Sequence, residues 1–490
     1  MNVVVIGAGL GGLSAALHAA GRGYRVTVLE SAEEPGGKAG HVTLDGVDVD
    51  TGPSVLTIPR AFDDAFRAVG TRLEDRVRLR PEGGRFRYRF HDGTHVDVDH
   101  DLQRTLTNVE TAFGREAAAD LSRFLEYAGT IWDASAPNFV FADAPSMTSI
   151  MKLGLGQLSA VRHLDAWRTM WAAIEEQVRD PRLRNILARY ATYNGSNVLT
   201  APATLNCIAH VELALGGYGV EGGIHALVQA LAEAAREAGV VIRCGVTARA
   251  IITRRKQVEA VELDGGERVG TDAVVANCEA SKLPELLGKA RRGKEEPPST
   301  SGWNAIIRTR RRPDRPAHEV VFPERYLDEF RDLHERGRPP SDPTVYACAP
   351  ERAHGRDGWP EHEPLFVMAN APAVKPDGTV DADWSTLERA VIARLEAAGI
   401  TEPGDPILWR RTPEDLAARF PGSHGALYGA SSNSMWAAFR RPANRVDGVR
   451  GLYLASGSAH PGGGMPLVAL SGRLAVENLQ ADAGRRVSVG

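Results

Sequence analysis

An apolar strand that runs straight into three glycines constrains the fold of this chain more than any other feature. Residues 1–12 read MNVVVIGAGLGG, so Gly7, Gly9 and Gly12 follow directly on the apolar run. Glycines at this spacing allow a tight turn, a close approach of the backbone to a pyrophosphate, and close packing of the next helix on the strand. We therefore expect a phosphate-binding turn, followed by a helix over 13–20 whose positive end faces the phosphates.

An acidic residue closes the second predicted strand. That strand spans 24–29 and is followed at once by Glu30, at the distance of about 20 residues that is typical of a ribose-binding acid. A carboxylate at this position can accept hydrogen bonds from ribose hydroxyls and would repel a 2′-phosphate. The order of strand, glycine turn, helix, strand and acid predicts a dinucleotide-binding domain; the alternative is a glycine-rich turn with an incidental acid.

The residues after this acid distinguish FAD from NAD. Residues 31–40 read SAEEPGGKAG, which places the pair Gly36 and Gly37 next to the cation Lys38, and Gly52 adds a further turn within DTGP. A second close approach of the backbone, followed by a cation, suits the extended FAD molecule, whereas a nicotinamide cofactor does not need it. We therefore predict FAD as the cofactor.

Length and charge narrow the class of protein. The chain has 490 residues, of which 43% are hydrophobic, enough for a large core and more than one domain. Its formal net charge of −4 offers no basic excess to neutralise phosphates, so we expect no nucleic-acid partner. The four cysteines are far apart in the sequence, which favours buried thiols over disulfides or zinc ligands.

Residues 86–99 predict a β-hairpin, because RFRYRFHDGTHVDVD alternates around an Asp-Gly turn. The hairpin and the residue after it also hold a group of potential metal ligands, His91, Asp92, His95, Asp97, Asp99 and His100. We do not interpret this group as a metal site, because alternating residues of a strand point to opposite faces and do not converge. We expect no metal ion.

Residues 150–178 have helical spacing. Apolar residues recur there at steps of three and four until Asp180-Pro181, namely Leu155, Leu158, Val161, Leu164, Trp167, Trp171, Ile174 and Val178. Two interpretations remain open: helices that face the core, or a basic, Trp-bearing surface over 150–180 that rests on a membrane and admits an apolar substrate.

No apolar run is long enough to span a bilayer and no leader precedes the first strand, so we expect a cytoplasmic chain with peripheral membrane contact at most.

A second cofactor segment is predicted in the middle of the chain. The glycine-rich stretch at 216–223 leads into a helix over 224–238 and then into strands at 240–243, 247–253, 258–263 and 273–277. Val246 lies where a strand edge could meet an adenine ring. The polar stretch at 280–303 predicts an exposed linker.

The third cofactor segment is near the C-terminus. Residues 451–466 read GLYLASGSAHPGGGMP, a strand and then a glycine loop with Gly457 and Gly464. Met465 and Pro466 then begin a helix that we expect to reach residue 479. The free N–H groups at its start could face the flavin N1 and C2 carbonyl and stabilise the negative charge that develops there. His460 in this loop is either a proton carrier or a structural histidine.

These motifs resemble the phytoene-desaturase type of carotenoid desaturase, within the flavin amine-oxidase superfamily. The resemblance rests on GAGLGGL with PGGK, on GVEGG, and on GLYLASGSAHPGGGMP. Further strings are similar to the branch that desaturates hydroxylated acyclic carotenoids, the 1-hydroxycarotenoid 3,4-desaturases, which include methoxyneurosporene dehydrogenase-like proteins. These strings are TGPSVLTIPRAFDDAF, RYATYNGSNVLTAPATL, LFVMANAP and GALYGASSNSMWAAFRRPANR.

The resemblance implies an α/β fold with a discontinuous Rossmann-type FAD-binding domain, built from 1–75, 216–290 and 421–490, and an α+β substrate-binding domain, built from 76–215 and 291–420. It implies an FAD-dependent desaturase that moves a hydride from an acyclic, 1-hydroxylated carotenoid to flavin N5 and forms a C=C bond. The electrons would then pass to a quinone or to oxygen. Since neither a Ser-His-Asp arrangement nor HExxH is found, we expect the cofactor to supply the chemistry.

Two other functions stay open on the sequence. One is an FAD-dependent oxidase or dehydrogenase of another apolar or amine-bearing metabolite. The other is a non-catalytic lipid-binding protein built on the same fold. Uptake of FAD would argue against the lipid-binding protein. A screen of substrates would distinguish the carotenoid desaturase from an oxidase or dehydrogenase of another metabolite.

Overall fold

A five-stranded parallel sheet collects strands from three distant parts of the chain. The computed structural model describes residues 1–145, 163–290, 296–434 and 440–487. Across the sheet the strands are Leu452–Leu454, Ala273–Ala276, Asn2–Ile6, Arg25–Leu29 and Val241–Arg243. The central strand carries the run VVVI, which is buried on both faces, as expected of a parallel sheet that is covered by other elements on each side.

Two helices cross on one face of this sheet and both begin at the cavity described below. They are Leu10–Ala20 and Met465–Val487. They approach closely because glycines meet at the crossing: a Cβ on Gly472 would lie 2.4 Å from the Gly11 carbonyl oxygen. The Ser14 hydroxyl also donates to the Ala469 carbonyl oxygen at 2.7 Å. The predicted α/β fold class is confirmed, with the first helix starting three residues earlier than expected.

A seven-stranded mixed sheet forms the second layer of the molecule. Its strands, in spatial order, are Ile407–Arg411, Ser301–Arg310, His362–Ala371, Val345–Cys348, His318–Val321, Phe86–Arg89 and His95–Val98. The last two strands are the hairpin predicted at 86–99, and they pair antiparallel with Phe86 opposite Val98. Only the pairing of His318–Val321 with Phe86–Arg89 is parallel within this sheet. The domain boundaries inferred from the sequence stay a prediction.

The remaining elements surround these two sheets. Three smaller sheets hold the strands Ala248–Arg254, Gln257–Leu263 and Arg268–Gly270; His41–Leu44 and Val47–Asp50; and Leu79–Arg80 and Gly219–Val220. The other helices of the described residues are Arg60–Arg67, Leu73–Arg76, Leu102–Phe113, Arg115–Ser135, Met170–Gln177, Pro181–Arg189, Cys207–Leu213, Ile224–Glu237, Leu283–Leu286, Tyr326–Arg331, Pro350–His354, Trp384–Ala397 and Pro413–Arg419.

The helical spacing at 150–178 does not correspond to continuous helix. Residues 150–162 lie outside the described residues. After them the chain is irregular until the helix Met170–Gln177, and Asp165 has a positive φ of 44°. Trp167 is 77% exposed, whereas Ile174 is fully buried, so the apolar residues do not share one face. The stop at Asp180-Pro181 is confirmed, because Asp180 caps the next helix.

The stretch at 280–303 is an exposed linker only in part: residues 288–290 and 296–297 are exposed, whereas both ends of the stretch are structured and partly buried. Leu283 and Leu286 begin and end a short helix and are buried in an apolar cluster. Ser299 is buried, and its hydroxyl accepts a hydrogen bond from the Tyr428 N–H at 3.0 Å. Tertiary hydrogen bonds therefore allow these polar residues to be buried. No helix in the described ranges is long and apolar enough to cross a membrane.

Candidate active site

One large cavity lies between the two sheets. Its volume is about 1240 Å³. Glu30, at the carboxyl end of a strand of the five-stranded sheet, lines it, and so does Tyr346 of the seven-stranded sheet. The carboxyl edge of a parallel sheet is where α/β proteins bind ligands. This edge is therefore the expected cofactor end of the cavity.

The glycine turns at this edge need the absence of side chains. A Cβ on Gly12 would lie 2.0 Å from the Gly7 carbonyl oxygen, and Gly7 itself has φ +96°. The predicted double-glycine loop packs directly on this turn: the Gly36 N–H donates to the Ala8 carbonyl oxygen at 3.1 Å, and a Cβ on Gly37 would lie 3.3 Å from a Cα of the turn. The two motifs thus form one continuous backbone cradle.

The first helix presents free N–H groups to this cradle. Its N-cap is Gly9, and no side chain among the described residues caps it. The first turn of a helix has N–H groups without intrahelical partners, and the helix dipole favours negative charge there. Gly9 and Leu10 line the cavity. This end of the helix is therefore suited to a pyrophosphate.

Glu30 is buried beside the same turn. Its Oε2 accepts a hydrogen bond from the Ala8 N–H at 2.6 Å, and its Oε1 accepts one from the Ala32 N–H at 2.9 Å. Oε1 also accepts from the Ser31 hydroxyl at 3.3 Å, so Oε2 is the oxygen that keeps a lone pair for a ribose hydroxyl. Val246 lies next to it, since its N–H donates to the Glu30 carbonyl oxygen at 2.9 Å, and both residues line the cavity.

Lys38 pairs with an acid that the motif did not predict. Its Nζ lies 2.9 Å from Oε1 of Glu279. Burial would raise the pKa of Glu279, but the charge of Lys38 and its hydrogen bond hold that pKa below the usual range. Gly52 supports the same loop, since a Cβ there would lie 2.2 Å from the Lys38 carbonyl oxygen. The cation thus joins two cofactor segments, although part of its charge is already compensated.

The C-terminal glycine loop brings the start of the last helix into the cavity. Gly457, Gly464, Met465 and Pro466 all line it. The helix begins at Met465 after Gly464, whose φ is +107°. Met465 contributes an N–H group without an intrahelical partner to the first turn of this helix, whereas Pro466 has no N–H. This is the helix end that the sequence predicts to face the flavin ring.

His460 is held by the protein on one side of its ring. It is 4% exposed, and its Nε2 lies 2.9 Å from the Ala142 carbonyl oxygen. A carbonyl oxygen only accepts, so Nε2 carries the proton in this contact. Burial lowers the pKa of His460, which favours the neutral ring. This geometry favours the structural role of the two that the sequence left open, while the catalytic role stays a prediction.

The charges around the cavity fit a dianionic cofactor. Six cationic side chains and two carboxylates line it, the cations being Lys38, Arg189, Lys282, Arg411, Arg419 and Arg441. FAD carries a pyrophosphate, which a helix N-terminus and nearby cations stabilise. The cradle that a Cβ would fill, the uncapped helix end and the ribose-binding acid all fit FAD. The chain binds FAD.

The rest of the cavity has an apolar wall. Part of this wall comes from the chain before residue 215, namely Trp132, Phe139, Val140, Leu164, Leu205, Ile208 and Val211. Trp167 also lines the cavity although it is 77% exposed, so the wall reaches the protein surface beside this indole. A long apolar ligand would be desolvated along such a wall.

The acids of the hairpin form ion pairs. Asp97 pairs with Arg87 and Asp99 with Arg85, at 2.7 and 2.6 Å. A different group, Glu34, His41 and His225, places potential metal-ligating atoms within 4.8 Å of one another. Its buried histidine already contacts a side-chain amide nitrogen, that of Gln229, at 2.7 Å, and its other ring nitrogen faces the Ala39 carbonyl oxygen.

Several site residues have no signal in local motifs. Asn277 follows a strand of the five-stranded sheet, and its side-chain amide lies where a Cβ on Gly9, Gly11 or Gly12 would come within 3.1 Å of it. Arg441 is half-buried and donates to the Gly457 carbonyl oxygen at 3.2 Å, and desolvation lowers its pKa to about 10. Arg411 donates to the Asn304 Oδ1 at 3.2 Å. Of these three residues, only Asn277 could have been identified as a site residue from the sequence, because it directly follows an apolar strand, where α/β proteins place ligand-binding residues.

Comparison with known proteins relates the whole chain to flavin enzymes. The family model described as flavin containing amine oxidoreductase matches residues 10–480. A hydroxyneurosporene desaturase of Rubrivivax gelatinosus is 35% identical, with 98% of this chain and 93% of the relative covered. A 4,4′-diapolycopene oxygenase of Methylomonas sp. is 29% identical, with 98% of each chain covered.

Solved structures agree on the fold. The crystal structure of an oxidoreductase from Methanosarcina mazei superimposes with a TM-score of 0.61 at 17% identity, with 97% of this chain and 100% of that chain covered. At this identity the likeness concerns the fold alone.

Proposed function

Since this chain belongs to the family of flavin containing amine oxidoreductases, we propose that it is an FAD-dependent desaturase of an acyclic, hydroxylated carotenoid. A relative of nearly the same length, 35% identical, is named a hydroxyneurosporene desaturase. The reaction removes a hydride from one carbon and a proton from its neighbour, and a C=C bond forms between them. FAD, when bound, supplies the acceptor for the hydride.

One observation supports this proposal most strongly: the cofactor cradle and a long apolar wall belong to one cavity. The lining runs from Glu30 and Gly464 at the cradle to Leu205 and Ile208 among the helices. An amine substrate would require a polar pocket with acceptors for an ammonium group. A polyene requires only a dry, apolar surface that holds it against the cofactor.

The described residues contribute position and electrostatics to the reaction. The helix that begins at Met465 directs its positive end into the cavity, where negative charge develops during hydride transfer. The apolar wall excludes water from the reacting carbons. A conjugated chain spreads the positive charge left by hydride loss, so a weak base is sufficient for the proton. His460 is our candidate for a group near that proton.

We also propose that the cavity opens toward a membrane surface. The support is Trp167, which lines the cavity and is 77% exposed, with Arg168 next to it in sequence. A Trp beside a cation suits the interface between lipid tails and headgroups. A carotenoid dissolved in the bilayer could then enter without crossing water. The electrons would leave to a quinone or to oxygen.

A substrate screen tests the proposed function. Purified protein with bound FAD is given an acyclic, hydroxylated carotenoid in liposomes, and in parallel a set of aliphatic amines without lipid. We expect carotenoid products whose absorption is shifted to longer wavelength, because each new C=C bond extends the conjugated system. Flavin that is bleached by amines alone, with the carotenoid unchanged, would contradict the proposal.

The route of entry is tested with a pair of variants. Trp167→Ala should slow the reaction of carotenoid delivered in liposomes but not of carotenoid delivered in detergent, because only the first requires contact with a bilayer. Leu215→Ala is the control, since Leu215 is 49% exposed but is not among the lining residues of the cavity. Equal rates for Trp167→Ala and wild type from liposomes would exclude a role of this indole in entry.

A further inference from the structure

A buried arginine interrupts the otherwise apolar end of the cavity. Arg189 ends the helix Pro181–Arg189, is 8% exposed and lines the cavity. Its Nη1 donates to the phenol oxygens of Tyr88 and Tyr193 at 3.2 and 3.1 Å. No carboxylate in the described part of the chain forms an ion pair with it. The buried Glu212 attracts it electrostatically without contacting it. A buried cation without a direct carboxylate contact is still costly, so its presence in a hydrocarbon site requires a reason.

Aromatic rings stabilise this cation in place. The guanidinium carbon lies 5.0 to 5.8 Å from the ring centroids of four residues, Phe86, Tyr88, Tyr193 and Tyr346. Such cation–π contacts are strongest when the cation is desolvated. Both hydrogen bonds to phenols use Nη1, while Nε and Nη2 have no hydrogen-bond partner among the residues that the structure describes. These donors therefore stay available to a ligand in the cavity.

An acceptor lies beside the available donors. His318 Nε2 lies 2.7 Å from the Gly83 carbonyl oxygen, which only accepts, so Nε2 carries the proton. Burial lowers the pKa of His318 to about 3, so its ring is neutral and Nδ1 accepts. The Tyr346 hydroxyl therefore donates to Nδ1, at 2.9 Å. The Ser54 side chain also forms a hydrogen bond with this hydroxyl, so one of the two lone pairs of the phenol oxygen stays available for a proton from the cavity, which Tyr346 also lines.

We propose that Arg189 and Tyr346 form a subsite that binds the terminal hydroxyl of the polyene and thereby selects which carbon–carbon bond is desaturated. The inference rests on the proposed function and deepens it. The alcohol oxygen accepts from Nε or Nη2 of Arg189, and the alcohol proton is donated to the Tyr346 oxygen. An ether oxygen can make only the first bond, and a hydrocarbon makes neither.

The need for such a subsite follows from the substrate. A carotenoid chain repeats the same isoprenoid unit, so an apolar wall alone binds it almost equally well after a shift by one unit. A single polar contact at one end removes this degeneracy, because any shift leaves the alcohol hydroxyl, and the Nε and Nη2 donors of Arg189, without hydrogen-bond partners. Arg189 and Tyr346 therefore determine specificity and position and are not assigned a catalytic role.

Three substrates and two variants test the subsite. The substrates are an acyclic carotenoid with a terminal tertiary alcohol, its methyl ether, and the parent hydrocarbon. For wild type we expect kcat/KM to fall in this order. Arg189→Met should lower the preference for alcohol over hydrocarbon by about 10- to 100-fold, the size of a hydrogen bond to a charged group, and should yield products desaturated at more than one position. Tyr346→Phe should remove only the preference for alcohol over ether.

Controls separate this role from a structural one. Arg182→Met changes an arginine of the same helix whose guanidinium lies 4.3 Å from the Phe113 ring centroid and pairs with Asp180; it should keep the full preference. FAD content and melting temperature show whether each variant folds. If Arg189→Met does not fold, Tyr346→Phe still tests the subsite, because it removes only the hydroxyl and keeps the aromatic ring. Binding of the three carotenoids, followed by their absorption, gives a readout that does not depend on turnover.

The outcomes are distinct. A preference for the alcohol that survives in both Arg189→Met and Tyr346→Phe would overturn the subsite while leaving the proposed function intact. Wild type that binds the alcohol most tightly but desaturates none of the three would overturn the proposed function, and the effect of the variants on binding would then decide the subsite. Equal binding of all three carotenoids by wild type would overturn the subsite directly.

Discussion

At position 30 a single carboxylate accepts two backbone hydrogen bonds and faces the cofactor cavity. The two donors, the N–H groups of Ala8 and Ala32, belong to the glycine turn and to the loop that leads to the second glycine pair. Glu30 therefore joins the two halves of the cradle in addition to its predicted contact with the ribose. One acid thus connects the local conformation of the backbone with the retention of the cofactor.

We predict that Glu30→Ala weakens FAD binding by roughly tenfold to a hundredfold, because hydrogen bonds to a charged group each contribute about 1.5–3 kcal/mol. The ratio of FAD to protein after gel filtration at low protein concentration measures this. Glu33→Ala, which removes an exposed acid three positions later, is the control. Full FAD occupancy in Glu30→Ala would count against the assigned role.

At the scale of elements, glycines set how closely the segments of the cofactor site pack. The DTGP turn and the last helix approach backbone atoms of another segment at distances that leave no room for a Cβ, and at Gly37 of the double-glycine loop a Cβ would be tight, at 3.3 Å from a Cα of the first turn. These contacts could be predicted from the sequence, because each glycine motif specifies a backbone path and needs no information about distant side chains. The partner of Lys38 could not, because Glu279 is brought to it only by the assembled sheet.

We predict that Gly52→Ala lowers the free energy of unfolding by about 1–3 kcal/mol, as overpacking does, and weakens FAD retention. The added Cβ would lie 2.2 Å from the Lys38 carbonyl oxygen, a backbone atom that cannot rotate away. Gly270→Ala is the matched control, since a Cβ there meets nothing within 4 Å. Thermal unfolding followed by flavin fluorescence measures both effects. A melting temperature of Gly52→Ala equal to that of the control would show that the loop adapts.

At the scale of the whole molecule, the cavity is formed by parts of the chain that are far apart in sequence. Its cofactor end follows from motifs, whereas its polar subsite does not. Arg189 ends a helix and Tyr346 lies on a strand of the seven-stranded sheet, more than 150 positions later. An arginine at a helix end or a tyrosine in a strand is ordinary in isolation. They meet through the mixed sheet. The strand of Tyr346 pairs with His318–Val321, this strand pairs with Phe86–Arg89, and Tyr88 on the last of these accepts from Arg189.

The same limit explains the differences at 164–169 and 280–303. Helical spacing predicted helix through residues 164–169, but that segment is irregular and Trp167 within it is exposed. Polar residues predicted an exposed linker, but Ser299 and Ser301 are buried with hydrogen-bond partners across the fold. In both cases tertiary contacts override a local pattern.

A single-turnover reaction without oxygen tests the central claim most directly. Protein with oxidised FAD is mixed anaerobically with a small excess of the hydroxylated carotenoid, and flavin absorbance and product mass are measured together. We predict one new C=C bond, and a loss of two mass units from the carotenoid, for each FAD that is reduced. Two results would contradict the assignment as a desaturase. One is flavin that stays oxidised in the presence of bound carotenoid, and the other is a product that forms only with oxygen and is heavier than the substrate by the mass of an oxygen atom.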